Sequence, residues 1–203
     1  MRFSLVITGI VATLSTVSAL PKFIPFGSLP SQPTDADLMN KDLVALANAL
    51  EGLVTAIQNA VDAKKGGQDT TGAFQAILTG VISVQSNCQT ARLDANGIRG
   101  PFDADPSQAV VDVLKKQVSP GFETVYERLI NAVEEGVFDG TSGNNLRLVV
   151  VSYLDLCTTD AAKMTDIVVS SVADSVKPGA SAAADSVKAP LKKIDDDFPA
   201  EQA

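Results

Sequence analysis

A run of apolar residues spaced alternately three and four apart, Leu43, Leu46, Leu50, Leu53, Ile57 and Ala60, restricts this chain more than any other feature. That spacing sets the side chains on one stripe of an α-helix, whereas a half-buried strand would alternate every second residue. Val44, Ala47, Val54 and Val61 widen the stripe to the breadth of a helix packed within a bundle. Thr34 or Asp35 can cap its start. Asp35 and Asp37 suit the positive first turn, and Lys64-Lys65 followed by Gly66-Gly67 suit its end.

The same period continues through the chain. A second helix is expected from about Thr70 to Leu93, with Phe74, Ile77, Leu78, Val81, Ile82, Gln85 and Cys88 on one face. A third starts with Asp105 as cap and Pro106 at its first position, and carries Val110, Val111, Leu114 and Val118. Ser119-Pro120-Gly121 is expected to kink or break it before Phe122, Val125, Leu129, Ile130 and Val133 resume the stripe. A fourth begins near Asn144-Asn145 and runs through Val150, Tyr153, Cys157, Met164 and Val168 until Lys177-Pro178-Gly179 stops it. Val149-Val150-Val151 alone would suit a strand, but the long uninterrupted period decides for helix. A last helix from about Ser181, shortened or bent by Pro190, carries Val187, Leu191, Ile194 and Phe198. The fold class is therefore all-α: an up-and-down bundle of four to five amphipathic helices over residues 35–203, with short connections implying antiparallel packing.

The N-terminus reads as a targeting segment. Arg2 precedes an uncharged apolar stretch from Leu5 to Val17, and Val17-Ser18-Ala19 offers small side chains for cleavage, so residues 1–19 are expected to be a secretory signal peptide. An uncleaved anchor is the alternative, although the stretch is short for a bilayer span of ~20 residues. Residues 20–34 contain Pro21, Pro25, Pro30 and Pro33 and are expected to be an extended leader. No later segment is read as a membrane span, and the charged C-terminal residues do not suit a lipid-anchor signal. A secreted protein, extracellular or in the cell wall, is the expectation.

Composition then excludes several chemistries. The chain has no His, which removes Ser-His and Cys-His catalysis and imidazole metal ligands together. Its net charge of −8 opposes binding to nucleic acid and anionic lipid headgroups. Asp195-Asp196-Asp197 lacks the Gly and distal Glu of a calcium loop, and Gly97-x-x-Gly100 lacks the Lys-Ser/Thr of a phosphate loop. No catalytic residue, metal or cofactor is expected. In an oxidising compartment Cys88 and Cys157 most simply form one disulfide, which would set the second helix against the fourth; two buried thiols acting as small hydrophobes are the alternative.

What remains is apolar. Hydrophobic residues make up 45% of the chain but aromatic ones only 5%, so the helix faces are mostly aliphatic. Such a bundle can leave a cavity or open between helices, or it can be a well-packed core. The faces around Phe74, Val81, Val125, Leu129 and Tyr153 are the candidate walls for an apolar ligand.

Particular segments carry a family resemblance. Asp35-Ala36-Asp37-Leu38 leads into Asp42-Leu43-Val44-Ala45-Leu46, and Cys88-Gln89-Thr90-Ala91-Arg92-Leu93-Asp94-Ala95 ends the second helix. Val118-Ser119-Pro120-Gly121-Phe122-Glu123-Thr124-Val125 forms a proline-interrupted middle, and Asn131-Ala132-Val133-Glu134-Glu135-Gly136 closes that stretch. In this order they resemble the fungal hydrophobic surface-binding protein A family, which includes cell-wall galactomannoproteins. The chain departs from it at Glu134-Glu135, where a Lys pair is usual, in its two cysteines, and in lacking a Ser/Thr-rich tail. The resemblance implies a secreted, non-catalytic helical protein whose partners are hydrophobic surfaces or fatty-acid-like lipids. A different class remains open: a secreted protein-interaction module, an effector or enzyme inhibitor, that binds a partner protein through a bundle face.

Overall fold

Thr34 opens the first helix through a reciprocal capping box. Its hydroxyl accepts from the Asp37 amide at 3.1 Å, and the Asp37 carboxylate accepts from the Thr34 amide at 3.0 Å. The Thr34 hydroxyl also donates to the Asp37 carboxylate at 2.8 Å, and this bond, then the one from the Thr34 amide, holds the carboxyl below the usual carboxylate range. The computed structural model describes residues 34–198. The expected signal peptide and all of the leader but Thr34 lie outside them.

The described chain is helical throughout: α1 (Asp35–Lys65), α2 (Thr71–Asn96), α3 (Ala104–Val113), a π-helical segment (Leu114–Val118), α4 (Ser119–Glu134), α5 (Gly140–Ser171) and α6 (Lys177–Asp197). All six residues of the α1 stripe are buried. By length and composition α1 could cross a membrane, yet its apolar stripe is spent on the core. The Asp69 carboxylate starts α2 by accepting from the amide and hydroxyl of Thr71, at 3.0 and 2.7 Å.

Four prolines shape how the helices begin and continue. The third helix begins at Ala104 behind Asp103, so Pro106 sits third rather than first, where its missing N–H is still not needed. At Pro120 the helix neither breaks nor stops. The Ser119 amide reaches back five residues to the Leu114 carbonyl, and this wider turn absorbs the proline, which has no amide to give. α3, the π segment and α4 are one continuous rod. Pro178 starts α6 rather than ending α5, because α5 has already stopped at Ser171. Pro190 is buried inside α6, and the carbonyl it leaves without an amide donor, that of Ser186, accepts from the Ser119 hydroxyl at 2.9 Å.

That bond ties α4 to α6 where Pro190 denies α6 a bond of its own. We expect Ser119→Ala to cost about 1 kcal/mol, the lower end of the effect of leaving an acceptor unmet, because this one is part-buried. Chemical denaturation of the two proteins measures it. A change within ±0.5 kcal/mol would contradict the role.

With the rod counted once, the described residues make five helices arranged as a closed ring. α1 packs on α2, α2 on α5, α5 on α6, α6 on α4 and α4 on α1. The chain does run up and down, but consecutive helices are not always neighbours. Three of the five seams are parallel, as paired positions show: Leu50 with Gly121 and Lys65 with Glu135 for α1–α4, Cys88 with Cys157 and Arg92 with Asp160 for α2–α5, Ser119 with Ser186 and Glu123 with Lys193 for α4–α6. The disulfide forms, with Cα atoms 5.5 Å apart, and joins α2 to α5 as the cysteine reading expected.

Candidate functional site

A ring of five helices has more room at its centre than a square of four. With neighbouring axes about 9 Å apart, the centre lies roughly 7.7 Å from each axis instead of roughly 6.4 Å. Here that centre is one continuous apolar cluster fed by every helix, including Leu43, Leu53, Val81, Val125, Leu154 and Ile194. Buried polar side chains among the described residues are Ser107, Thr165 and Ser171. All three belong to one end of the ring, at the start of α3 and the end of α5.

That end is tied by hydrogen bonds. The Phe102 amide donates to the Ser171 carbonyl at 2.7 Å, and the Ala173 amide donates to the Ser107 hydroxyl at 2.9 Å. Ser107 donates in turn to the Phe102 carbonyl at 3.4 Å. The opposite end is closed by side chains. Phe198, at the end of α6, is buried and meets Phe138 edge-on, with ring centroids 5.5 Å apart. The Arg147 guanidinium carbon lies 4.7 Å from the Phe198 ring centroid.

The five sequence-chosen walls divide into two groups. Val81, Val125 and Leu129 are buried in the central cluster, from α2 and α4, which are not adjacent helices in the ring. Phe74 and Tyr153 are half-buried and pack against the cluster from outside. With Leu78 they flank exposed Ile82, Val149 and Leu156. Val149, Tyr153, Leu156 and Asp160 share one α5 face by their spacing, and Asp160 is the residue that meets α2. The strip therefore lies along the α2–α5 seam. Neither of two open surface grooves includes any of the five: one of 300 Å³ between α1 and α4 at Asn48, Glu51, Gln117 and Thr124, and one of 510 Å³ between α1 and α2 at Thr55, Asn59, Thr79 and Ser83.

Asp42 of α1 faces Asp94 of α2. Burial, with a hydrogen bond to Asp94 and the charge of that residue, pushes the Asp42 carboxyl up to about 6. Burial and then the charge of Asp155 also raise Asp195, across the α5–α6 seam. A raised carboxyl favours the fold while protonated, so its stabilisation is full below pH 4 and is lost as pH rises through about 6. Discounted for solvent screening of a half-exposed group, the Asp42 contribution is of order 1 kcal/mol. Asp42→Asn should raise stability at pH 7 and flatten the decline between pH 4 and 7. Thermal melts across that range check it, and an unchanged slope would contradict it.

Among the described residues no three or more His, Cys, Asp or Glu side chains are placed to hold a metal. No family model and no curated relative matches the sequence. Solved structures do match. The structure of AFMP4P in complex with palmitic acid aligns with a TM-score of 0.66 at 14% identity, over 80% of this chain and 99% of that one. Ligand binding domain 1 of the Penicillium marneffei MP1 protein, complexed with arachidonic acids, aligns at 0.54 and 17% identity over 77% of this chain and 98% of that one. Its ligand binding domain 2, with multiple arachidonic acids, aligns at 0.52 and 16% over 75% and 95%. The chain is an all-helical protein that shares the fold of AFMP4P and the MP1 domains.

Proposed function

We propose that this chain is a secreted, non-catalytic lipid-binding protein that takes a fatty-acid-like acyl chain into the centre of its helix ring. The observation that carries the reading is the ring itself, whose continuous apolar interior has its buried polar residues, Ser107, Thr165 and Ser171, toward one end. An acyl chain needs apolar contact along its length and little else, and burial rewards it at ~25 cal/mol per Å². The proteins of like fold hold palmitic and arachidonic acids, which supports the same ligand class here. Membership of the hydrophobic surface-binding protein A family, export through residues 1–19 and an extended leader over 20–34 belong to the same proposal. Val81, Val125 and Leu129 are the proposed walls.

A second reading has its own observation. The exposed strip of Ile82, Val149 and Leu156 beside Phe74 and Tyr153 fits adsorption to a hydrophobic solid, as an apolar patch on a soluble surface often marks a contact site. Binding of a partner protein would use the same face. Denaturing extraction of the secreted protein followed by lipid mass spectrometry separates these. Co-purifying acyl lipid supports the interior reading. Absence of lipid with retention on a hydrophobic resin supports the surface reading, and a stoichiometric protein partner without lipid supports the interaction module.

A further inference from the structure

We infer that Arg147 receives the carboxylate of the acyl ligand, at the end of the ring that Phe138 and Phe198 close; the inference rests on the lipid-binding reading above.

The position follows from α5. Gly143 is buried against the Phe138 backbone, and a Cβ there would overlap the Phe138 carbonyl group, so the close approach requires glycine. Arg147 is one turn further along the same helix face. Phe138 is thus fixed by the start of α5, Phe198 leans on Phe138, and the Arg147 guanidinium lies on Phe198. Leu146 and Val150, on either side of Arg147, are buried in the core. The cation therefore stands at the edge of the apolar interior.

Arg92 is paired with Asp160, Lys65 with Glu135, Lys188 with Asp166 and Lys193 with Glu123. Among the described residues Arg147 has no such partner, and its Nε is buried without a hydrogen-bond acceptor. An unmet buried donor is costly, and a carboxylate is the group that answers a guanidinium fork in two parallel bonds. Aromatic stacking holds the fork at the edge of the core before any ligand arrives. Among the described residues the other end has no cation over an aromatic ring, and it is tied by hydrogen bonds from backbone amides. Displacement of the Phe198 ring would open the interior beside Arg147, so an acyl chain lying inward leaves its carboxylate at the guanidinium.

The test uses cis-parinaric acid and its methyl ester, followed by fluorescence on the full secreted chain. The wild type should bind the acid at least tenfold more tightly than the ester. Arg147→Gln should bring the ratio to about one by weakening the acid alone, and Arg147→Lys, which keeps charge without the fork, should give an intermediate ratio. Circular dichroism checks that each variant is folded, and the Lys variant decides if the Gln variant is not. Equal binding of acid and ester by the wild type overturns the inference and leaves lipid binding standing. So does an undiminished preference in a folded variant. Binding of neither ligand overturns the lipid-binding reading as well.

Discussion

Replacing Cys88 and Cys157 together by serine should lower stability by about 4 kcal/mol, the loop-closure entropy of the roughly 70 residues that the bridge encloses. The two cysteines are 69 apart in sequence and both are fully buried. The bridge joins α2 and α5, which are not consecutive in the chain, so it restricts a long stretch of unfolded polypeptide that includes all of α3 and α4. At roughly 2–4 °C per kcal/mol for a chain of this size, the melting temperature should fall by about 8–16 °C. Buried serine hydroxyls would add to the loss, so the Ala pair is the cleaner comparison. A fall below about 3 °C in either double variant would show that the helix ring does not depend on the bridge.

The second large effect belongs to the α1–α4 seam. A Cβ on Gly121 would lie 2.9 Å from Leu50 Cδ1 and 3.2 Å from Leu50 Cβ, so the two helices approach through a leucine set against a glycine. Leu50 is fully buried, and Leu50→Ala should cost about 2–5 kcal/mol, through lost burial and the cavity left behind. Gly121→Ala should cost about 1–3 kcal/mol by overpacking the same place. The pair share one contact, so their effects should not add. The double variant should be more stable than the sum of the singles predicts by about 1 kcal/mol or more, as the new methyl group fills space that Leu50 vacates. Denaturant unfolding of the four proteins measures this, and strict additivity would refute the fit.

Much of the fold was legible because helix signals are local. The α1 stripe and its Thr34 cap required only spacing and a hydroxyl, and both are as read. The prolines were harder, because what proline does depends on where the displaced carbonyl finds a donor. Pro190 is tolerated through Ser119, 71 positions away in sequence, and no local pattern announces that bond. Neighbour order was harder still. Periodicity tells which face of a helix is buried but not what it is buried against, and short connections favoured antiparallel neighbours where three seams are parallel.

The same distinction divides the site. Val81, Val125 and Leu129 could be chosen because apolar residues at helical spacing face a core. Phe74 and Tyr153 have the same spacing, yet they fall on the flank of the stripe and are only half-buried. Arg147 was passed over, although one cation between buried Leu146 and buried Val150 was a signal. Its meaning depends on Phe198, which arrives from the end of α6.

An acyl chain inside the ring meets different residues from one lying on the α2–α5 strip. A palmitic acid carrying a photoreactive diazirine in the carboxyl-side half of its chain, cross-linked to the full-length protein and mapped by peptide mass spectrometry, tests directly where the acyl chain lies. A chain inside the ring should place labels on the inward residues of α2 and α4, around Val81, Val125 and Leu129. Labels confined to Ile82, Val149 and Leu156, or no label at saturating ligand, would contradict that placement.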